Sequence, residues 1–298
     1  MKPLFVVVMV ILAACTRGEA DPTIRANILL TCFSSSDFGP STRAGSPDET
    51  LISDWSLLIF NSYGDLEEHV YVPYRALNSL SYSTRLLRDV PYTIIATANM
   101  GYQLPIHCLA DAREYRYPLA HPDEYSRGLP MAVVLEGVLA TEQMELRLER
   151  LMARVDLRLD RRELAEDVLL RVTEVTVGLC PTSVSLFRGS CVETASQAFQ
   201  QGFTLRGNDV DALNHDMPDA LSGDVSLYLL ENCSELHPSY VEIKVAYHSE
   251  DYHTDPGDPL SFRISLGEVI RNRVYPLVLA PQHLSGQKKP GKTARLFD

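Results

Sequence analysis

The stretch "YVEIKVAY", residues 240–247, puts Val241, Ile243, Val245 and Tyr247 on one side of an extended chain and Glu242, Lys244 and Ala246 on the other. Successive side chains on a strand point to opposite faces, so this octet predicts a strand with one face buried and one wet. Outward from it, "RVDLRLD" repeats the pattern with Val155, Leu157 and Leu159 against charged partners, and "LSFRISL" does so with Phe262, Ile264 and Leu266. The more continuous apolar runs "DWSLLIF", "YTIIATA", "MAVVLEGVLA" and "VSLYLL" predict strands covered on both sides. Turn formers separate these segments. "NSYGD" (61–65) carries Gly64, which accepts positive φ, and "DPGDP" (255–259) divides two strands. Helical periodicity is confined to a turn or two at "RRELAED" and "ASQAFQQGF". Many short strands with turns between them predict an all-β chain of antiparallel sandwiches, not a parallel α/β sheet.

The 298 residues leave room for two domains of ordinary size. "ELRLERLMARVDLRLD" would carry the chain from one sandwich into the next, which divides it into a sandwich over 23–150 and a second over 151–281. The segment 102–130, with Pro105, Pro118, Pro122 and Pro130 among polar residues, reads as a long loop. The tail 282–298 has no strand pattern over most of its length and is expected to be mobile.

At the other end, Lys2 precedes an apolar run, Pro3 to Ala14, of a signal peptide's length. A membrane-spanning helix needs roughly 20 apolar residues, so the run 1–14 is too short to stay as an anchor. Leu12-Ala13-Ala14-Cys15 resembles a bacterial lipobox, in which the cysteine is acylated and becomes the new N-terminus. Residues 15–22 would then tether an exported protein to a bilayer, each buried methylene contributing roughly 0.8 kcal/mol. The alternative is an ordinary signal peptide that happens to contain a cysteine.

The net charge of -12 argues against nucleic acid, which wants a basic face, and 45% hydrophobic residues fit a globular chain. No GxSxG, HExxH, P-loop or GxGxxG occurs, so no catalytic residue and no cofactor is nominated, and an enzyme is not expected. His248, Glu250, Asp251, His253 and Asp255 have the chemistry of cation ligands but sit in a turn-rich segment, where such residues serve solubility. No metal site is expected there. His107 and Cys108 are neighbours on the chain and would point apart on a strand. Trp55, near a strand start, reads as core. Setting Cys15 aside leaves Cys32, Cys108, Cys180, Cys191 and Cys233, an odd set whose pairing is open. Cys180 and Cys191 flank "CPTSVSLFRGSC" and would bridge if their strands pair; buried thiols are the alternative.

Several stretches, taken in order, resemble the fimbrillin superfamily of type V pili. They are the lipobox, "STRAGSPDE" (41–49), "LLIFNSYGDL", "PYTIIATANMG", "GLPMAVVLEGV", "LERLMARVDLRL", "VTEVTVGLCPTSVSLF", "YLLENC", "YVEIKVAY" and "FRISLGEVIRNRVYPLVL". The resemblance implies two transthyretin-like antiparallel β-sandwich domains in an outer-membrane lipoprotein precursor anchored through Cys15. It further implies that an arginine-specific protease cuts between Arg43 and Ala44. That would free the first strand, "TIRANILLTCF" (23–33), and open a groove that another fimbrial subunit fills by donor-strand addition. The partners implied are other fimbrial subunits, with a host or bacterial surface ligand for adhesion left open. The composition of 282–298 favours a tip or minor subunit over a stalk subunit. An anchoring subunit that keeps its lipid is the runner-up, and a glycan-binding surface lipoprotein using Tyr115, Tyr117 and Tyr125 is the third reading.

Overall fold

A computed structural model describes residues 25–34, 48–73, 79–120, 125, 127–164, 168–188, 198–214, 221–249, 258–281 and 295–296. The first half begins with β1 (Arg25–Ser34), β2 (Trp55–Phe60), β3 (Leu66–Val72), β4 (Ser79–Leu87) and β5 (Pro91–Ala98). A short helix α1 (Leu109–Glu114) and β6 (Arg116–Pro118) follow, then β7 (Met131–Leu139) and β8 (Gln143–Arg150). Seven of these strands form one sheet in the order β3-β2-β5-β7-β8-β1-β4. The β7–β8 pairing holds only at Met131–Arg150 and Ala132–Glu149. Beyond those two pairs the sheet folds over, so that β8-β1-β4 lies across β3-β2-β5-β7. Ile28, Leu30, Leu86, Leu146 and Leu148 from one layer share a core with Leu57, Ile59, Ile94 and Ala96 from the other. Trp55 is buried in this core, as expected for a strand start. Gly64 turns the chain between β2 and β3 at φ +87°.

The second half contains β9 (Met152–Leu159), β10 (Val168–Gly178), β11 (Cys180–Pro181), β12 (Ser183–Ser185), β13 (Phe199–Gln200) and β14 (Thr204–Arg206). A 3-10 turn (Gly207–Val210) and α2 (Asp211–Asn214) lead to β15 (Val225–Leu230), β16 (Ser239–Ser249), β17 (Asp258–Gly267), β18 (Val274–Leu279) and β19 (Arg295–Leu296). The sheets β14-β10-β16-β17 and β15-β9-β18-β19 enclose Val172, Val175, Ile243, Ile264, Leu157, Leu227 and Leu277. In β10 the buried set changes from even residues (Leu170, Val172) to odd ones (Val175, Val177), because a bulge between Val172 and Glu174 shifts the register against β16.

The alternating octet is seated as its pattern requires, with Val241, Ile243, Val245 and Tyr247 buried and Lys244 exposed. Three expectations are corrected. The sheets are not wholly antiparallel: β1 runs parallel to β8, and β18 parallel to β9. Strand direction depends on long connections that local alternation does not encode. The segment 102–130 is more than a loop, since it contains α1 and β6, and β6 pairs with β12 of the second half. At "ASQAFQQGF", Phe199–Gln200 form strand β13 and pair with β11, not a helical turn, whereas at "RRELAED" residues 161–164 do form a turn and 165–167 lie outside the described residues.

Candidate functional site

The sequence places even-numbered apolar residues along β1, and the fold buries them. Ile28, Leu30 and Cys32 are 1%, 0% and 2% exposed, whereas Leu29 is 38% exposed. Burying Ile28 and Leu30 contributes roughly 3–6 kcal/mol at about 1.5–3 kcal/mol each. β1 is bonded on both sides. It pairs parallel with β8 from Leu29–Gln143 to Ser34–Leu148, and antiparallel with β4 from Arg25–Leu87 to Phe33–Ser79. The Arg147 guanidinium of β8 lies 5.7 Å from the Phe33 ring centroid, a cation–π contact. The ladder bonds and the buried side chains together fix β1 between two walls, one of which, β4, has no other ladder partner among the described residues. The groove also sets the chemistry of its one thiol, because burial pushes Cys32 up to about 12.

Downstream of residues 35–47 the chain is pinned at once. The Asp48 carboxylate accepts from the Thr50 amide (2.9 Å) and hydroxyl (2.7 Å), and these bonds hold it below the usual carboxylate range. Glu49 follows, and it is only 7% exposed. Its carboxylate accepts from Arg154 Nη1 at 3.0 Å and from the Tyr228 hydroxyl at 2.7 Å. Burial, and then the Glu49 charge, push that hydroxyl upward in pKa. The Glu49 carbonyl accepts from Arg150 Nε and Nη2 at 3.0 and 2.7 Å, and Arg150 Nη1 also donates to Asn272 Oδ1. Arg150 is 1% exposed. One residue thus ties the start of the segment 48–54 to β8, β9 and β15, where the two halves of the chain meet. A buried charge persists only when paired and hydrogen-bonded, which this cluster achieves.

Cys15, Arg43 and Ala44 lie outside the described residues, as do the segment 282–294 and most of the acidic and histidine-rich stretch 248–255. Among the described residues no cluster of His, Cys, Asp or Glu could hold a metal ion, and no helix is long and apolar enough to cross a membrane. The proposed Cys180–Cys191 bridge is absent: Cys180 is a free, buried thiol, as is Cys32, and Cys108 is free and half-buried. Cys233 is disulfide-bonded. The three tyrosines considered for glycan binding do not form an exposed platform. Tyr125 is buried and stacks on Phe203 at 5.7 Å, and Tyr115 and Tyr117 pack partly against the core. Glu49 and Arg150 were not nominated from the sequence. Their partners lie more than 100 residues away on the chain, so no local motif announces them.

No family model and no curated protein sequence matches this chain. Solved structures do. A fimbrial assembly protein from Parabacteroides distasonis matches at 14% identity and a TM-score of 0.56, over 87% of this chain and 92% of that one. The C-terminally truncated tip fimbrial protein of Porphyromonas gingivalis matches at 11% identity and 0.54, over 85% and 94%. A fimbrilin from the same species matches at 10% identity and 0.55, over 86% and 90%. Such similarity over nearly the whole length, at so low an identity, is a likeness of architecture: this chain has a fimbrillin-like fold.

Proposed function

We propose that the chain is a structural subunit of a surface fimbrium, exported as an outer-membrane lipoprotein through Cys15 and joined to its neighbours by strand addition. In this reading residues 23–150 and 151–281 are two transthyretin-like domains, and cutting between Arg43 and Ala44 frees β1. The observation that carries it is the seating of β1. It is the only described strand that stands immediately before the Arg43 segment, and it fills a two-walled apolar slot in the sheet. A strand from a second subunit could restore the ladder bonds to β8 and β4, while alternate side chains refill the pockets of Ile28, Leu30 and Cys32. Glu49 supports the same reading, because its buried bonds would hold the chain beyond the cut in place. The fimbrial proteins that share the fold support the class of assembly, and the composition of 282–298 favours a tip or minor subunit.

The test is the N-terminal sequence and mass of the protein recovered from assembled fimbriae, with Arg43→Ala alongside. Wild type should begin at Ala44, and Arg43→Ala should fold and be exported yet fail to join fibres. Normal incorporation of Arg43→Ala with an acylated Cys15 would overturn the cleavage reading in favour of an anchoring subunit.

A further inference from the structure

The far wall of the β1 slot has a weakness in its backbone bonding. β4 is the last strand of the seven-stranded sheet, and its only ladder partner among the described residues is β1. Any event that removes β1 removes every ladder bond β4 has, and the slot would lose one side. Side chains reach across the open rim of the sandwich and compensate. The inward residues of β4 are even-numbered, with Thr84 and Leu86 buried and Leu80 and Tyr82 partly so. Glu68 lies on β3, the opposite end of the same sheet, and faces inward with Val70 and Val72. The Tyr82 hydroxyl donates to one Glu68 carboxylate oxygen, and the Thr84 hydroxyl donates to the other. A second tie stands at the β4–β5 corner, where the Leu87 amide donates to the Tyr92 hydroxyl at 3.0 Å. Tyr92 is itself fully buried on β5.

Neither tie involves β1. Both join β4 to the layer that keeps its own ladder when β1 leaves. We propose that Glu68 is a positioning residue that clamps β4 to β3, with Tyr92 fixing the corner, so that the slot keeps both walls while it is empty. The proposal rests on the strand-withdrawal reading given above and adds to it the device that keeps the acceptor open. Bonds to a charged acceptor are the stronger kind, which suits a clamp that must act without a ladder. The Glu68 hydrogen bond, with burial and the carboxylate charge, also raises the Tyr82 hydroxyl to about 12, so the donor stays protonated across the physiological range.

The test uses the full chain with a specific protease site placed within 35–47 and cut after folding, and a fluorescent peptide of residues 25–34 as the probe. Trp55 is the single tryptophan, and its ring lies 6.0 Å from that of Tyr82, so its emission reports where β4 stands. The cut wild-type chain should take up the peptide without a red shift. Cut Glu68→Ala should take it up at least tenfold more slowly and with a red-shifted Trp55, although the uncut variant matches uncut wild type in emission. Glu68→Gln, which can still meet both hydroxyls, should recover most of the rate. Should Glu68→Ala fail to fold, Thr84→Val, which removes one of the two donors, provides the same comparison. Equal uptake rates for cut wild type and cut Glu68→Ala overturn the clamp alone. No uptake by the cut wild-type chain overturns strand exchange, and the clamp with it.

Discussion

Glu49 joins residues that sequence reading treats as unrelated. In "RVDLRLD" the arginines occupy what alternation assigns to the wet face, and Arg158 does lie there, partly exposed and paired with Asp224. Arg154 does not, and neither does Arg150 upstream of it. Both are buried because a carboxylate and a carbonyl of Glu49 meet them from over 100 residues away. Glu49→Ala takes one of two carboxylates from Arg154, whose Nε also lies 3.0 Å from Asp156 Oδ1, and leaves the buried Tyr228 hydroxyl without its acceptor, a loss of about 1–3 kcal/mol. Glu49→Ala should therefore lower the unfolding free energy by that amount in denaturant titration. A loss under about 1 kcal/mol, the value of an exposed pair, would show that water reaches the cluster.

At the scale of elements, alternation was legible and direction was not. β16 and β17 follow from their own residues, and β1 carries its inward set at Ile28, Leu30 and Cys32 in plain view. What the residues of β1 do not reveal is that β8 runs parallel to it, since that depends on the path of the intervening hundred residues. The short α1 and β6 were missed for a different reason. Six and three residues carry too little periodicity to distinguish from a loop, and β6 owes its form to pairing with β12. The register of β1 is itself testable. Leu30→Ala should cost about 2–5 kcal/mol, the usual range for a buried leucine. Leu29→Ala, one residue along, should stay within about 0.5 kcal/mol, as surface substitutions do. A larger cost at Leu29 than at Leu30 would mean that the strand is seated one residue out of phase.

At the scale of the whole molecule, the seven-stranded sheet closes one rim by folding at β7–β8 and the other by side chains between β3 and β4. The layered all-β plan follows from the pattern of runs. The polar ties that hold its halves and rims together do not, because each joins residues distant in sequence. Cys32 gives this arrangement an inspectable mark. Only the thiolate reacts with alkylating reagents, and burial pushes Cys32 up to about 12, well above the range of an exposed cysteine. In the uncut chain at mildly alkaline pH, Cys108 should be alkylated first, while Cys32 and Cys180 stay silent. After the chain is cut and β1 is displaced, Cys32 should label at the rate of a free peptide thiol, and peptide mass spectrometry would read both states. Equal labelling of Cys32 and Cys108 in the uncut chain would place the strand outside its slot. The sulfur thus works as a tamper seal: with the reagent present, an alkylated Cys32 records that the first strand has left its slot.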